Sequence, residues 1–285
     1  MTLFSKLRAL LVLGRVSNLP TVWSNCLAGW LLGGGGEWPR FAVLCGGATL
    51  LYEGGMFLND AFDADFDAQH RRERPVPSGA ISLGSVWRLG LAMLVAGVAL
   101  LTLLGTTTAL LGVALCGSVL LYDWAHKLVT FSPVLMALCR LILYLTAASA
   151  AVRGVTDLAV WCALVLAVYI VGLSCLARKE ATGLVIQRWP QVLLVLPVAL
   201  ALVLNDGDSR QPALLITAVF ALWTLRSLRG VWTEPRQVGQ AVSGLLAGIV
   251  WVDMLAVADQ PRVLGAVFIA LFLVALLGQR FVPAT

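Results

Sequence analysis

The stretch Phe57–Pro75, FLNDAFDADFDAQHRRERP, carries four aspartates within eight residues and then three arginines. It follows directly on LCGGATLLYEGGM (Leu44–Met56), one of the more apolar runs in the chain. The acids thus stand at the end of a membrane-length segment, where negative charge is costly unless something positive meets it. The rest of the chain sharpens the contrast. Of 285 residues, 60% are hydrophobic and 12% charged, and the mean hydropathy is +0.90. Soluble domains carry about a quarter charged residues, so the composition places most of the mass in a bilayer.

A helix needs about 20 apolar residues to cross the hydrocarbon. Such runs fall near 16–35, 41–60, 84–104, 106–124, 133–152, 158–177, 189–205, 211–229, 238–258 and 262–281. The expectation is an all-α polytopic membrane bundle of nine to ten spans, forming a single integral-membrane domain over 1–285. The longest polar connection, about Asp60 to Ser85, is too short for a soluble domain. The first run is one of many alike, so it reads as a span and not a removable leader. Cys26, Cys45, Cys116, Cys139, Cys162 and Cys175 lie singly in apolar runs with no C-x-x-C pair. They read as packing residues, against a disulfide framework or a zinc site.

Basic loops stay cytoplasmic. With the N-terminus inside and ten alternating spans, fifteen Lys and Arg fall on the cytoplasmic side and four (Arg40, Arg153, Arg210, Arg262) opposite, with Arg140 inside the membrane. That bias predicts a protein integral to the inner (cytoplasmic) membrane, with the N-terminus and the aspartate stretch cytoplasmic.

If the second span continues as helix through Asp67, then Asp60, Asp63 and Asp67 share one face at i, i+3 and i+7, with Asn59 beside them at i, i+4 and i+8 to Asp63 and Asp67. Asp65 points away. Three carboxylates on one face repel. Oxygen ligands without a His or Cys cluster suit Mg²⁺, which usually takes one or two carboxylates plus waters and substrate phosphates. The pattern predicts a metal-bridged anion: Asp60, Asp63 and Asp67 hold Mg²⁺, Mg²⁺ holds a diphosphate, and Arg71, Arg72 and Arg74 meet the outer oxygens. The plainer alternative is a solvated helix end that only stops the span.

Asn59, Asp60, Asp63 and Asp67 read as N-D-x-x-D-x-x-x-D, and RPVPSGAIS (Arg74–Ser82) follows. Together they resemble the first aspartate-rich motif and trailing segment of the UbiA-type membrane prenyltransferases. The resemblance implies a helical bundle, usually of nine spans, around a central cavity. It also implies Mg²⁺-assisted transfer of a prenyl group from an allylic isoprenyl diphosphate to a small-molecule acceptor, with metal and basic residues clamping the leaving anion. Aromatic faces would shield the allylic cation in a dry cavity, and Tyr52, Trp124 and Tyr144 are the candidates. The expected partners are the diphosphate, the acceptor and the lipid bilayer, with no nucleic acid.

LYDWAHK at the fourth span's end resembles the family's tyrosine-plus-lysine element, which assigns Tyr122 to substrate and Lys127 to the diphosphate. His126 and Asp123 read as ordinary solvated loop residues. The family's second motif, D-x-x-x-D-like, is replaced here by LSCLARKEATG, with the single acid Glu180 after Arg178 and Lys179. Glu180 would complete the metal site shared with the first motif, and the two cations would grip the diphosphate. Arg140, mid-span in MALCRLILYL, needs an interior partner. Glu53, seven residues before Asp60 and on its face, is the candidate, the two lining the cavity for a polar acceptor. Asn25, in GRVSNLPTVWSNCLAG, resembles the family's polar first-helix position and is expected to touch substrate. Asp253 reads as a hydrogen-bonded helix contact. Within the family, GRVSNLPTVWSNCLAG with SCLARKEATG looks like the EboC-like branch, which implies a polar, cyclitol-like acceptor. The competing readings are a transporter using membrane-edge carboxylates and a diphosphate-binding relative without turnover. A CDP-alcohol phosphotransferase would need a D-G-x-x-A-R pattern that is missing.

Overall fold

In hydrocarbon every backbone N–H and C=O needs an internal partner, which favours helices. The computed structural model describes residues 3–182, 189–204, 210–233 and 236–284, and its regular elements there are all helical. In chain order they are α1 (Leu3–Leu13), a 3-10 turn (Val16–Asn18), α2 (Leu19–Leu32), α3 (Trp38–Phe62), α4 (Ala64–His70), α5 (Leu83–Thr102), α6 (Thr106–Ala125), α7 (Ser132–Ser149), α8 (Asp157–Thr182), α9 (Trp189–Leu193), α10 (Leu196–Leu204), α11 (Arg210–Trp232), α12 (Val238–Ala256) and α13 (Arg262–Gly278). Among the described residues, seven of these are long and apolar enough to cross a bilayer: α3, α5, α6, α7, α8, α11 and α12.

The evenly spaced ten-segment layout needs correcting in three places. The first segment is a 14-residue helix, α2, separated from α1 by a break at Gly14–Arg15 and the 3-10 turn. Arg15 adopts left-handed backbone angles, φ 43° and ψ 47°, which cost energy for a residue with a Cβ. The seventh segment splits into α9 and α10 around Leu194–Val195. Pro197 accounts for the split, since its ring has no N–H to give and crowds the carbonyl one turn earlier. The tenth, α13, has 17 residues. None of the six cysteines forms a disulfide among the described residues.

Lipid gives helices no hydrophobic reason to associate, so small residues that let backbones approach carry the packing. α3 and α5 show this reciprocally. A Cβ on Gly54 would lie 2.9 Å from the Gly90 carbonyl oxygen, and one on Gly97 would lie 3.0 Å from the Gly47 carbonyl oxygen. Gly29 and Gly33 press α2 in the same way against the carbonyls of Tyr144 and Ala148 on α7. The α3 glycines fix that helix's rotation. At 100° per residue, the Gly47–Gly54 face meets α5. The face of Ala48, Tyr52, Gly55 and Asn59 then turns into a cavity of about 670 Å³. Leu115 and Val119 of α6, Leu143 of α7, Ile170 and Leu173 of α8, and Leu246 and Ile249 of α12 supply its apolar walls.

Beside the cavity a buried polar network ties α2, α7 and α12. Arg140 Nη1 donates to Asn25 Oδ1 at 2.7 Å and to the Thr21 carbonyl at 3.2 Å, and its Nη2 donates to Thr21 Oγ1 at 3.1 Å. Asn25 Nδ2 and Ser24 Oγ donate to Asp253 Oδ2 at 2.7 and 2.5 Å. Asp253 is thus a hydrogen-bonded helix contact, as its isolation in the sequence suggests.

Candidate active site

α3 ends at Phe62, yet its hydrogen-bond ladder runs on through the turn: the Asp63 N–H reaches the Asn59 carbonyl at 3.0 Å and the Asp67 N–H reaches the Asp63 carbonyl at 2.9 Å. The acids keep helical spacing across the α3–α4 junction, and Asp60, Asp63 and Asp67 are all buried. Asp65 is exposed. Cations surround the three. Arg74 Nη1 lies 3.0 Å from Asp60 Oδ1 and 3.1 Å from Asp67 Oδ2, joining two of the repelling carboxylates. Lys127 Nζ lies 2.6 Å from Asp63 Oδ1, with His126 Nε2 at 3.5 Å from the same oxygen. Burial by itself would raise the Asp63 carboxyl, but hydrogen bonds and charge from His126 and Lys127 outweigh it and hold it below the usual range. Its folded pKa being depressed, this pairing contributes above the unfolded carboxyl's pKa and is lost only as pH falls through the folded value.

Arg15, held in its strained turn, completes the ring. Its Nη2 donates to Asn59 Oδ1 at 3.2 Å and approaches Asp60 Oδ1 at 3.4 Å. Asn59 Nδ2 donates to Asp123 Oδ1 at 3.2 Å. Two buried oxygens, Asp67 Oδ1 and Asp123 Oδ2, have no hydrogen-bond partner among the described residues. In that same set no three His, Cys, Asp or Glu side chains form a ready metal cage. Mg²⁺ does not require one, since it is usually held by one or two carboxylates with substrate phosphates and water. An all-oxygen donor set with a buried lone pair left over therefore suits it.

The structure brings Asn59, Asp63, Arg71, Arg74, Tyr122 and Lys127 to the lining at one end of the cavity, with Asp60 and Asp67 off the lining and paired to Arg74. Other expected residues lie elsewhere. Arg72 is exposed, and its Nε donates back to the Ala68 carbonyl at 3.2 Å, because the turn after α4 points it outward. Glu53 shares the face of Asp60, as its spacing demands, but that face packs on the α1 break: a Cβ on Gly14 would lie 3.7 Å from Glu53 Cδ. Glu53 is outside the cavity lining and does not pair with Arg140, which lies on the lining itself. Asn25 does not reach the lining either, and stands behind Arg140. Arg178 lines the cavity, but its Nη1 fastens the segment after Lys127, donating to the carbonyls of Val129 and Thr130 and to Ser132 Oγ at 2.7, 2.8 and 3.0 Å. The side chains of Lys179 and Glu180 lie outside the described residues. Of the aromatic candidates, Tyr52 lines the cavity, Tyr144 is sealed in the core and Trp124 faces outward.

Three contributors escape a sequence reading. Asp123 and His126 look like solvated loop residues, but Asp123 is buried against Asn59 and His126 meets Asp63. Arg15 is absorbed by the general cytoplasmic excess of arginine. Only the Gly-Arg pair, where an apolar run breaks, signals it.

Comparison with known proteins adds a family to this geometry. The chain is 34% identical over 114 residues to the digeranylgeranylglyceryl phosphate synthase of Methanoculleus marisnigri, covering 40% of each chain. It is 32% identical over 116 residues to the 4-hydroxybenzoate octaprenyltransferase of Pectobacterium carotovorum, covering 39% of this chain and 40% of the relative. These alignments span under half the length of either relative. The fold resembles a UbiA homolog from Aeropyrum pernix K1, with TM-score 0.67, 19% identity, and 87% of this chain and 98% of that chain covered. It also resembles a UbiA homolog from Archaeoglobus fulgidus bound to GPP and Mg²⁺, with TM-score 0.64, 12% identity, and 95% and 99% covered. A sequence model of the UbiA prenyltransferase family matches residues 18–242, and the chain belongs to that family.

Proposed function

We propose that this protein is an intramembrane prenyltransferase that moves a prenyl group from an allylic isoprenyl diphosphate to a small polar acceptor. One observation carries the reading. A ring of buried acids and cations closes one end of an otherwise apolar cavity of about 670 Å³. A prenyl diphosphate has the same division, a charged head on a hydrocarbon chain.

The chain's own residues fit successive parts of such a reaction. Leu115, Val119, Leu143, Ile170 and Leu173 bury the prenyl chain and keep water from the reacting carbon. Lys127, Arg71 and Arg74 would meet the diphosphate oxygens at this end, where Lys127 and Arg74 also pair with the acids. Asp60, Asp63 and Asp67 would hold Mg²⁺, which when bound supplies Lewis-acid stabilisation of the leaving diphosphate. Diphosphate leaves with the electron pair of the C1–O bond, the acceptor's nucleophilic atom bonds to C1, and the acceptor loses a proton. Tyr122 lines the cavity at this end, where an aromatic ring suits the developing positive charge at C1. The predominance of Lys and Arg at this end favours a cytoplasmic active site in the inner membrane.

The test uses detergent-purified full-length protein and a non-hydrolysable geranylgeranyl diphosphate analogue, with and without Mg²⁺. Mg²⁺-dependent binding that disappears in Asp63→Ala supports the assignment. Binding that ignores both metal and mutation, or fails altogether with shorter analogues too, sinks it and returns weight to a transporter. Binding without diphosphate release from the natural substrate class identifies a relative that does not turn over.

A further inference from the structure

The cavity has a second polar feature, remote from its charged mouth. Arg140 lies on α7 two turns beyond Ser132, and its guanidinium reaches the lining beside Tyr52, whose ring centre is 5.9 Å away. Tyr52 in turn precedes Asn59 by seven residues on α3, so this position lies roughly 10 Å deeper than the acid ring at 1.5 Å per residue. Arg140 therefore stands about two turns inward of the acids along the cavity.

Its surroundings distinguish it from the mouth cations. Each of its hydrogen-bond partners is neutral: the Asn25 side-chain oxygen, the Thr21 carbonyl and the Thr21 hydroxyl. The nearest acid in its network, Asp253, is held one amide away through Asn25 and forms no ion pair with it among the described residues. Three bonds occupy three of the five guanidinium N–H groups. Thr21, Asn25, Ser24 and Asp253 fix the planar fork from behind, and the lining face remains for a ligand. A fixed guanidinium without a direct counter-ion in low dielectric favours an oxyanion, which it can grip through two parallel bonds.

We propose that Arg140 is the specificity-determining residue of an acceptor subsite, taking a carboxylate or phosphate group of the acceptor and leaving the acceptor's nucleophile toward the mouth. This rests on the transferase reading only for the word acceptor. The Thr21–Asn25–Asp253 frame positions Arg140 and does not touch the ligand.

The test is again on the full chain, with the mouth first saturated by Mg²⁺ and the geranylgeranyl diphosphate analogue, so that added anions cannot bind there. Benzoate serves as the carboxylate probe, glycerol 3-phosphate as the phosphate probe and inositol as the neutral polyol. We expect one of the two anions to bind and inositol not to. Arg140→Gln should weaken that binding by at least about tenfold, the scale of a charge-assisted hydrogen bond, and Arg140→Lys by less. Affinity for the diphosphate analogue should stay unchanged in both. Because Arg140→Gln leaves Asp253 as a buried charge and is liable to misfold, the double variant Arg140→Gln/Asp253→Asn removes both charges and gives the same readout. The tighter anion identifies the acceptor's group. Inositol binding in place of both anions, or anion binding indifferent to Arg140, overturns the proposal. If the diphosphate analogue itself fails to bind, the transferase reading falls, and anion binding measured without it still decides the role of Arg140.

Discussion

The acid ring at the mouth and the Arg140–Asp253 network deeper in the bundle both bury charge, but they do so differently. At the mouth, cations and carboxylates touch directly, Lys127 on Asp63 and Arg74 on Asp60 and Asp67. Two acid oxygens there have no partner among the described residues. In the network, opposite charges are separated by the Asn25 amide and locked by short bonds from three helices. Asp253 Oδ1 is likewise unpartnered among the described residues, so spare lone pairs are common to both regions and the difference lies in direct against amide-separated charge. On the proposed function, the direct pairs at the mouth exchange partners when a diphosphate binds, and the three-helix network holds its geometry.

That contrast predicts opposite outcomes for stability and activity. Its largest expected effect is Arg140→Leu, which leaves the buried Asn25 Oδ1, Thr21 carbonyl and Thr21 hydroxyl without their donor. Each buried polar group left unpaired costs about 1–3 kcal/mol, so the variant should lose much of its thermal stability in detergent. If Arg140→Leu melts like the wild type, the network is not a fixed element and the comparison fails at its inner side.

At the mouth the effect should fall on chemistry. Asp63→Ala should reduce diphosphate release by at least about a hundredfold, the range seen when one charge-stabilising group of an active site is removed. Its melting temperature should change little, since Lys127 at Asp63 is part-exposed and can turn to solvent. A variant with a clearly lowered melting temperature and wild-type specific activity would assign Asp63 to structure. Lys127→Ala comes next: loss of one charge-assisted bond of about 1.5–3 kcal/mol should weaken binding of the diphosphate analogue roughly tenfold to a hundredfold. An unchanged dissociation constant would remove Lys127 from the site.

The two regions also differ in how far a sequence discloses them. The mouth's acids lie within eight residues of one another, and helical periodicity alone places Asp60, Asp63 and Asp67 together. Its remaining members come from other helices, so Arg15, Asp123 and His126 stay hidden behind a local reading. The network has no local signature: Asn25, Arg140 and Asp253 are more than a hundred residues apart in sequence. Only the expense of a mid-span arginine announces that some partner exists. Choosing Glu53 fails because periodicity gives a shared face and not what that face meets. The Gly47–Gly54 contact with α5 sets the helix's rotation, and it turns Glu53 toward Gly14. The all-helical class is legible from composition. The breaks at Arg15 and before Pro197 are local backbone events inside apolar runs, which hydropathy averages away.

The smallest expected effect separates two neighbours in the arginine run. Arg74 bridges two buried carboxylates, whereas Arg72, two residues earlier, is exposed and donates back to the Ala68 carbonyl of α4. Arg72→Ala should therefore shift stability by no more than about 0.5 kcal/mol, as for most surface substitutions, and leave affinity for the diphosphate analogue as it is. Arg74→Ala should weaken that affinity and also release Asp60 and Asp67 to repel each other. Measuring both variants side by side tests whether proximity in sequence or placement in the fold selects the clamp. Equal losses would mean that the turn after α4 rearranges when the diphosphate binds and brings Arg72 in. A loss in Arg74→Ala alone makes the clamp a property of the bridge across the two carboxylates, and the run of three arginines then has only one member joining them.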